Sequence, residues 1–252
     1  MEIREIIESK LNEIEEKEHV KILHCVESGS RAWGFASPDS DYDVRFFYVR
    51  EKNWYLGLNP GRDVIEWQLD DVLDINGWDL QKTLKLLHNS NPTVFEWDKS
   101  PIVYRTTPEW KRISAILPEY FSPAKMIHHY LGTALGQFNK YLVDDEVRLK
   151  KYFYALRPIL ACEWVADRET PPPMLFDELK EAYLPEKYVQ AVNGLVELKK
   201  STPEIGTGKR IELLDEYLNE RMEYFKELSH SIKNEKVASW EKLNAIFADN
   251  VL

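Results

Sequence analysis

Two aspartates separated by one residue, Asp41 and Asp43, open a stretch rich in aromatic and β-branched residues. On a strand, residues two apart face the same side, so both carboxylates would share one small space. Carboxylates that close repel each other unless a cation neutralises them, and hard oxygen ligands favour Mg²⁺ or Mn²⁺. An Asp-x-Asp pair alone is more typical of a turn. Followed by an apolar strand, it predicts a metal site suited to phosphoryl transfer.

The dipeptide Gly29-Ser30 precedes this pair and follows an apolar run. Glycine lets the backbone approach a phosphate closely, serine offers a hydroxyl, and a helix that begins there directs free N–H groups at an anion. A phosphate-binding turn beside metal-binding carboxylates predicts a site for a nucleoside triphosphate.

A third acid of the site has several candidates. Asp74 fits an acid in a strand best, because strand alternation turns it away from its apolar neighbours Leu73 and Ile75. The alternatives are Glu66, Asp70, Asp71 and Asp79. Asp79 is more simply interpreted as a helix cap.

Basic residues near these motifs have two interpretations each. Arg45 shares the carboxylate face and would either contact a phosphate or pair with Asp41 or Asp43. Arg31 lies beside the Gly-Ser turn and is either a phosphate ligand or a solvated helix residue. Further along the chain, Lys150, Tyr154 and Arg157 share one helix face, which is either a surface charge cluster or a helix that grips the triphosphate.

The elements around these residues indicate two domains. An amphipathic helix from Ile3 to Ile14 precedes predicted strands at residues 20–27, 41–49, 64–69 and 72–75, and a helix begins after Asp79. Residues 1–110 are therefore predicted as a mixed α/β catalytic domain. Residues 120–252 are predicted as a helical substrate- or nucleotide-binding domain that begins at Ser122-Pro123 and is interrupted by prolines 171–173, Pro185 and Pro203.

Composition limits the function. The 252 residues carry 33 Lys and Arg against 43 Asp and Glu, a net charge of -10 that argues against a protein that coats nucleic acid. Cys25 and Cys162 lie far apart in apolar segments and are expected to be buried, reduced thiols. The N-terminus lacks a signal-peptide core, and no apolar run is long enough to span a bilayer, so a cytoplasmic location without membrane partners is expected.

Residues 27–45, Glu-Ser-Gly-Ser-Arg-Ala-Trp-Gly-Phe-Ala-Ser-Pro-Asp-Ser-Asp-Tyr-Asp-Val-Arg, resemble the nucleotidyltransferases of the DNA polymerase beta superfamily. They are most similar to a bacterial and phage group of predicted nucleotidyltransferases associated with RNA ligases. The superfamily signature is Gly-Ser, Asp-x-Asp and a third acid in an apolar strand, and the long Gly-Ser-Arg-Ala-Trp-Gly form is more specific. The similarity continues at residues 73–80, 91–97 and 151–158, and so covers most of the chain.

The resemblance implies an α+β fold: a polymerase-beta-like nucleotidyltransferase domain with a small mixed sheet, followed by a mainly α-helical domain. It implies transfer of a nucleoside monophosphate from a nucleoside triphosphate to an acceptor hydroxyl, with pyrophosphate as leaving group. Asp41, Asp43 and Asp74 would be catalytic and hold Mg²⁺ or Mn²⁺. The residues expected to bind the nucleotide are Gly29, Ser30, Arg31, Arg45, Lys150 and Arg157.

The acceptor stays open at this point. Because the group that the sequence resembles is associated with RNA ligases, the resemblance suggests an RNA end as acceptor, a role in RNA processing or repair, and a functional link to a ligase. Transfer to a protein hydroxyl, as in toxin-antitoxin systems, or to a small antibiotic would use the same chemistry. A rival of another class is a catalytically silent module that binds nucleotide or RNA, although such a binder does not need two mutually repelling carboxylates.

Overall fold

A computed structural model describes residues 2–59, 61–68, 72–202, 206–232 and 239–251. The fold is α+β, with a five-stranded mixed sheet and a predominantly helical C-terminal region. The chain forms two compact units: residues 1–32, 41–120 and 237–252 make up the first, and residues 33–40 and 121–236 the second. Neither unit is one continuous stretch of sequence.

The sheet of the first unit consists of β1 (Val20–Glu27), β2 (Tyr42–Arg50), β3 (Val64–Gln68), β4 (Leu73–Asp79) and β5 (Val103–Thr106). The strand order is β3-β4-β2-β1-β5. β2 and β4 run parallel, and the other neighbouring strands are antiparallel. The four predicted strands are confirmed. The four-residue β5 was not predicted, because so short a stretch shows no clear alternation.

Helix α1 (Ile3–Glu18) covers one face of this sheet, as its amphipathic pattern predicts. Its buried residues Ile7, Leu11 and Ile14 belong to a core that includes Val44 and Ile75 on the central strands. Burial of these side chains stabilises the layer by about 1.5–3 kcal/mol each. The remaining helical segments of the first unit are α2 (Gly29–Ala32), α3 (Lys52–Tyr55), α4 (Leu80–His88), α5 (Pro92–Asp98), α6 (Pro108–Ser114), a 3₁₀ turn (Leu117–Tyr120) and α12 (Trp240–Asn250).

The opposite face of the sheet is divided along β2. Toward the C-terminal end of the strand, Phe47 packs against Trp97 and Trp110, with ring centroids 5.1 and 4.4 Å apart, and Trp78 lies 4.3 Å from Trp97. These tryptophans are therefore packing residues. Toward the N-terminal end, the same face carries Asp43. Aromatic packing thus fixes the strands while the polar end stays accessible.

The second unit contains α7 (Pro123–Tyr141), β6 (Glu146–Arg148), α8 (Lys151–Arg168), α9 (Phe176–Tyr183), α10 (Glu186–Ser201), β7 (Thr207–Lys209) and α11 (Glu212–Ser231). The Ser122 hydroxyl accepts a hydrogen bond from the Lys125 N–H, which confirms the predicted start of α7. Prolines 171–173 separate α8 from α9, and Pro185 caps α10. Pro203 lies outside the described residues. The small β6–β7 sheet was not predicted.

The two cysteines are buried and free, as expected from their apolar surroundings. Burial raises the pKa of both thiols well above the usual value, which makes them poor nucleophiles at neutral pH. Among the described residues, no helix combines the length and apolar character needed to cross a bilayer.

Candidate active site

Parallel pairing of β2 with β4 places Asp43 directly beside Asp74. Residues paired across neighbouring strands point to the same face of a sheet, so the two side chains lie next to each other. Asp74 is exposed, whereas its neighbours Leu73 and Ile75 are buried on the opposite face. The alternation inferred for Asp74 is therefore present in the structure.

The other candidates for the third acid occupy different surroundings. Asp79 is buried and caps α4: its carboxylate accepts hydrogen bonds from the Gln81 N–H at 2.8 Å and from the Tyr55 hydroxyl at 2.7 Å. Glu66 lies on the edge strand β3, where it forms an ion pair with Arg62. Asp70 and Asp71 lie outside the described residues. Of the described candidates, Asp74 is the one paired with Asp43.

Arg45 joins the two carboxylates. Its Nη2 lies 2.7 Å from Asp43 Oδ1 and 2.8 Å from Asp74 Oδ2, and its Nη1 donates to the Asp74 carbonyl at 2.7 Å. Because Asp43 Oδ1 and Asp74 Oδ2 contact the same Nη2 atom, the distance between these two oxygens cannot exceed the sum of their distances to Nη2. Of the two interpretations of Arg45, the structure shows the ion pair, and its second carboxylate is that of Asp74 rather than Asp41. The guanidinium supplies the positive charge that this pair of acids requires.

Asp43 is the electrostatic centre of the group. Burial raises its pKa, and the nearby charges of Asp41 and Asp74 raise it further, whereas the guanidinium groups of Arg45 and Arg31 lower it. The other two predicted acids thus both act on Asp43. A site with this balance gains free energy from further positive charge, which a divalent cation would supply.

The Gly29 turn abuts Asp43. The Ser28 N–H donates to the Asp43 carbonyl at 2.8 Å, and Gly29 has a φ of +59°, in the left-handed region. A Cβ on Gly29 would lie 2.0 Å from Asp43 Oδ2, so a larger residue would collide with the carboxylate. Ser30 follows in the single helical turn α2. Glycine is therefore required here both by the backbone conformation and by the contact with Asp43.

Arg31 holds the entrance to β2. Its guanidinium lies 3.7 Å from the centroid of the Tyr42 ring, and its Nε donates to the Asp41 carbonyl at 3.0 Å. Arg31 is thus more than a solvated helix residue. Its contacts orient the segment that carries Asp41, and its charge lowers the pKa of Asp43.

Glu27 is a residue of the site that sequence reasoning missed. Its side chain is fully buried, Oε1 accepts the Asp43 N–H at 2.7 Å, and Oε2 accepts a short hydrogen bond from the Tyr104 hydroxyl. Burial raises the pKa of Glu27 to about 7. One signal was available, because Glu27 is an acid at the end of an otherwise buried strand. Tyr104 gave no signal, since β5 itself was not predicted.

The raised pKa of Glu27 predicts a pH-dependent stability. Between its ordinary value of 4.5 and about 7, the native protein retains a proton that the unfolded chain releases, so stability falls as pH rises through this window. Glu27→Gln does not titrate. The free energy of unfolding of the variant minus that of wild type, measured by urea unfolding at each pH, should therefore become about 3 kcal/mol more positive between pH 4.5 and 8. A difference that does not change with pH would contradict the assignment.

Lys150 and Arg157 belong to the second unit. Lys150 immediately precedes α8. Arg157 is buried, its guanidinium lies 5.0 Å from the centroid of the Trp33 ring, and its Nε donates to the Met174 carbonyl at 3.4 Å. Tyr154, by contrast, is exposed. Of the two interpretations of this helix face, a surface charge cluster does not apply to Arg157, because this part of α8 is packed on the Arg157 side; binding of the triphosphate by Lys150 and Arg157 stays a prediction.

Asp43 and Asp74 are the carboxylates of the site that a metal ion would contact. In the described part of the chain, no three acidic, histidine or cysteine side chains converge into a ready-made metal site. Mg²⁺, however, is usually held by one or two carboxylates together with substrate phosphates and water. Asp43 and Asp74 supply two hard oxygen donors already gathered around one positive group. The donor set therefore fits a divalent ion that arrives with its phosphate substrate.

Comparison with known proteins agrees with this geometry. The model of the RlaP family, described as the RNA repair pathway DNA polymerase beta family, matches residues 3–249. The chain belongs to this family. The resemblance drawn from the Gly-Ser and Asp-x-Asp motifs is thereby confirmed for nearly the whole chain, and the protein is a polymerase-beta-type nucleotidyltransferase by family.

Two individual proteins are similar to this family member. "Uncharacterized protein YcgL" of Bacillus subtilis (strain 168) is 41% identical over 253 residues, which cover 99% of this chain and 96% of that protein. A crystal structure of a nucleotidyltransferase-like protein from Exiguobacterium sibiricum 255-15 shares 14% identity, covers 90% of this chain and 77% of that chain, and has a TM-score of 0.32. The family assignment rests on the family match and not on this structural similarity.

Proposed function

We propose that the protein transfers a nucleoside monophosphate from a nucleoside triphosphate to an acceptor hydroxyl, with release of pyrophosphate and dependence on Mg²⁺ or Mn²⁺. The observation that carries this proposal is the in-register pairing of Asp43 with Asp74 beside the Gly29 turn. Metal-binding carboxylates next to a turn that admits phosphate are the parts that nucleotidyl transfer requires.

Asp41, Asp43 and Asp74 are the residues that would hold the metal. When bound, the metal would lower the pKa of the acceptor hydroxyl and neutralise charge on the phosphates. Arg45 neutralises Asp43 and Asp74 in the free protein. If a bound metal took over both carboxylates, Nη2 of Arg45 would become available for a phosphate oxygen, while Nη1 could keep its hydrogen bond to the Asp74 carbonyl.

The protein side chains would then position the reacting atoms. Asp74 is exposed, so it is suited to accept the proton of the acceptor hydroxyl. The hydroxyl oxygen forms a bond to the α-phosphorus, and the bond between that phosphorus and the oxygen bridging to the β-phosphate breaks. The Ser30 hydroxyl and the backbone around Gly29 would bind the departing pyrophosphate. Positioning and charge neutralisation account for catalysis of this type.

An RNA end is the acceptor that the family favours. The family is described by an RNA repair pathway, and this supports RNA as the acceptor and a functional link to an RNA ligase. Because the net charge is -10, an RNA end would have to meet positive potential that is local rather than spread over the whole surface.

The proposal is tested by label transfer. Each of the four α-³²P-labelled ribonucleoside triphosphates is incubated with protein and Mg²⁺, and with RNA oligonucleotides bearing hydroxyl or phosphate ends, a protein extract or a small-molecule extract. We expect label in the RNA pool, release of pyrophosphate, and loss of both on addition of a chelator. Nucleotide binding without pyrophosphate release from any acceptor pool would instead indicate a silent binding module. Label in protein alone would refute RNA as the acceptor.

A further inference from the structure

Helix α7 and the first turns of α8 carry no acidic residues. The nineteen residues of α7 include no Asp or Glu, and the first acid of α8 is Glu163, although the chain carries 43 acids in 252 residues. Lys140 lies at the end of α7, Lys151 begins α8, and Arg148 lies on β6 between them, in a segment that also carries Asp144, Asp145 and Glu146. The positive charge of this region is therefore confined to the three basic side chains near Tyr141.

Two tyrosines lie among these cations. Lys151 Nζ is 4.0 Å from the ring centroid of Tyr141 and 5.0 Å from that of Tyr154, and Lys140 Nζ is 5.1 Å from the Tyr141 centroid. A hydrogen bond with Lys140, together with the positive charges of Lys140, Lys151 and Arg148, lowers the pKa of the Tyr141 phenol. Three cations therefore lie around one half-buried tyrosine, and Tyr154, 39% exposed, adds a second ring beside Lys151.

Three acids, Asp144, Asp145 and Glu146, lie in the exposed segment between α7 and Arg148. Asp145, Glu146, Glu212 and Asp215 line a cavity of about 670 Å³ together with Lys209 and Arg210. Asp215 accepts hydrogen bonds from Tyr152 and Arg210 inside the unit. That cavity mixes both signs of charge, and its acids would repel a phosphate. Phosphate chemistry therefore favours the surface around Tyr141 over the cavity.

We propose that the surface formed by Lys140, Tyr141, Arg148, Lys151 and Tyr154 binds a single-stranded polynucleotide. Cations that follow the phosphate backbone, interleaved with aromatic rings on which bases stack, are the common construction of single-strand sites. A lone phosphate would contact the cations alone, whereas a single strand can also place bases against the two rings. The inference rests on the proposed function, because it names the class of acceptor and the residues of the second unit that hold it.

The test measures binding of a fluorescent 12-nucleotide single strand by anisotropy in the presence of a chelator and without nucleotide. The double variant Lys140→Gln/Lys151→Gln removes two phosphate contacts. Its plot of log affinity against log salt should be shallower by about 1.4, and its affinity at 0.1 M salt should fall about 25-fold. The matched control Lys200→Gln/Lys226→Gln removes two exposed lysines from α10 and α11 of the same unit and should bind like wild type.

A tyrosine pair tests the stacking. Tyr141→Ala should weaken binding at least about fivefold, whereas Tyr141→Phe keeps the ring and should bind within about twofold of wild type. RNA and DNA strands are compared, since both present phosphates and bases. Equal affinities support a site that reads the backbone and bases, and preference for RNA supports a further contact with the 2′-hydroxyl. Circular dichroism confirms that each variant is folded.

Several results would overturn the inference: no binding by wild type, equal weakening by the control pair, or tighter binding of a duplex than of the single strand. Because the assay contains neither metal nor triphosphate, its outcome is separate from that of the proposed function. Pyrophosphate release without strand binding would refute the surface and leave the transferase intact. Strand binding without pyrophosphate release in the presence of any acceptor would support the surface and refute the transferase.

Discussion

Asp43→Asn is expected to lower the rate of pyrophosphate release by about a thousandfold, equivalent to roughly 4 kcal/mol of transition-state stabilisation. Asp43 is the acid on which Asp41, Asp74, Arg31 and Arg45 all act, and it is the one that contacts the Gly29 turn. The amide removes the negative charge that would hold a divalent ion, while its remaining oxygen can still accept from Arg45 Nη2. The measurement is a steady-state pyrophosphate assay at saturating Mg²⁺ and triphosphate.

Folding and catalysis can be separated in this variant. Burial raises the pKa of Asp43, which means that its negative charge lowers the stability of the folded protein. Neutralising this charge should therefore not lower the thermal midpoint by more than about 2 °C. Asp39→Asn removes the same charge from an exposed position four residues earlier and should keep wild-type activity. Equal activity of the Asp43 and Asp39 variants would contradict the proposed metal site.

The motif residues of the site could be predicted from sequence because their spacing is local. Gly29 and Asp43 are recognised by residue type and by the change from an apolar strand to a turn. Asp74 is more distant, and alternation alone predicted which face it occupies but not which strand lies beside it. Only the parallel register of β2 and β4 shows that Asp74 pairs with Asp43. Register between strands separated by a crossover has no local signature.

The residues that sequence reasoning missed depend on distant contacts. Glu27 binds Tyr104, which lies on the unpredicted strand β5, and Ser100, whose hydroxyl donates to the Glu27 carbonyl at 2.6 Å. Helical spacing grouped Arg157 with Lys150 and Tyr154 on one face, yet Arg157 is buried against Trp33 and Met174 whereas Tyr154 is exposed. Helical periodicity identifies neighbours along one helix, but it does not identify which surrounding segments bury them.

Gly29→Ala is expected to lower the rate of pyrophosphate release by about a hundredfold or more. An ideal Cβ at this position would lie 2.0 Å from Asp43 Oδ2 and 2.8 Å from Asp43 Cγ, and the backbone has a φ of +59°. The added methyl must displace the carboxylate or the turn. Displacing the carboxylate breaks its 2.7 Å bond to Arg45, and displacing the turn moves the proposed phosphate-binding backbone. The left-handed conformation adds about 1–2 kcal/mol of strain.

Two further glycine variants show which part of this effect is specific to the site. Gly194→Ala lies in α10, where an added Cβ meets no atom within 4 Å, and it should stabilise the protein by about 0.5–1 kcal/mol at unchanged activity. Gly77→Ala would place a Cβ 2.1 Å from the Phe46 ring, so it should lower the thermal midpoint. If Gly29→Ala lost activity only in proportion to lost folded protein, as expected for Gly77→Ala, the contact with Asp43 would have no catalytic role. If the activity of Gly29→Ala falls far more than its folded fraction, the defect lies at the Asp43 carboxylate, because the added methyl would collide with that group.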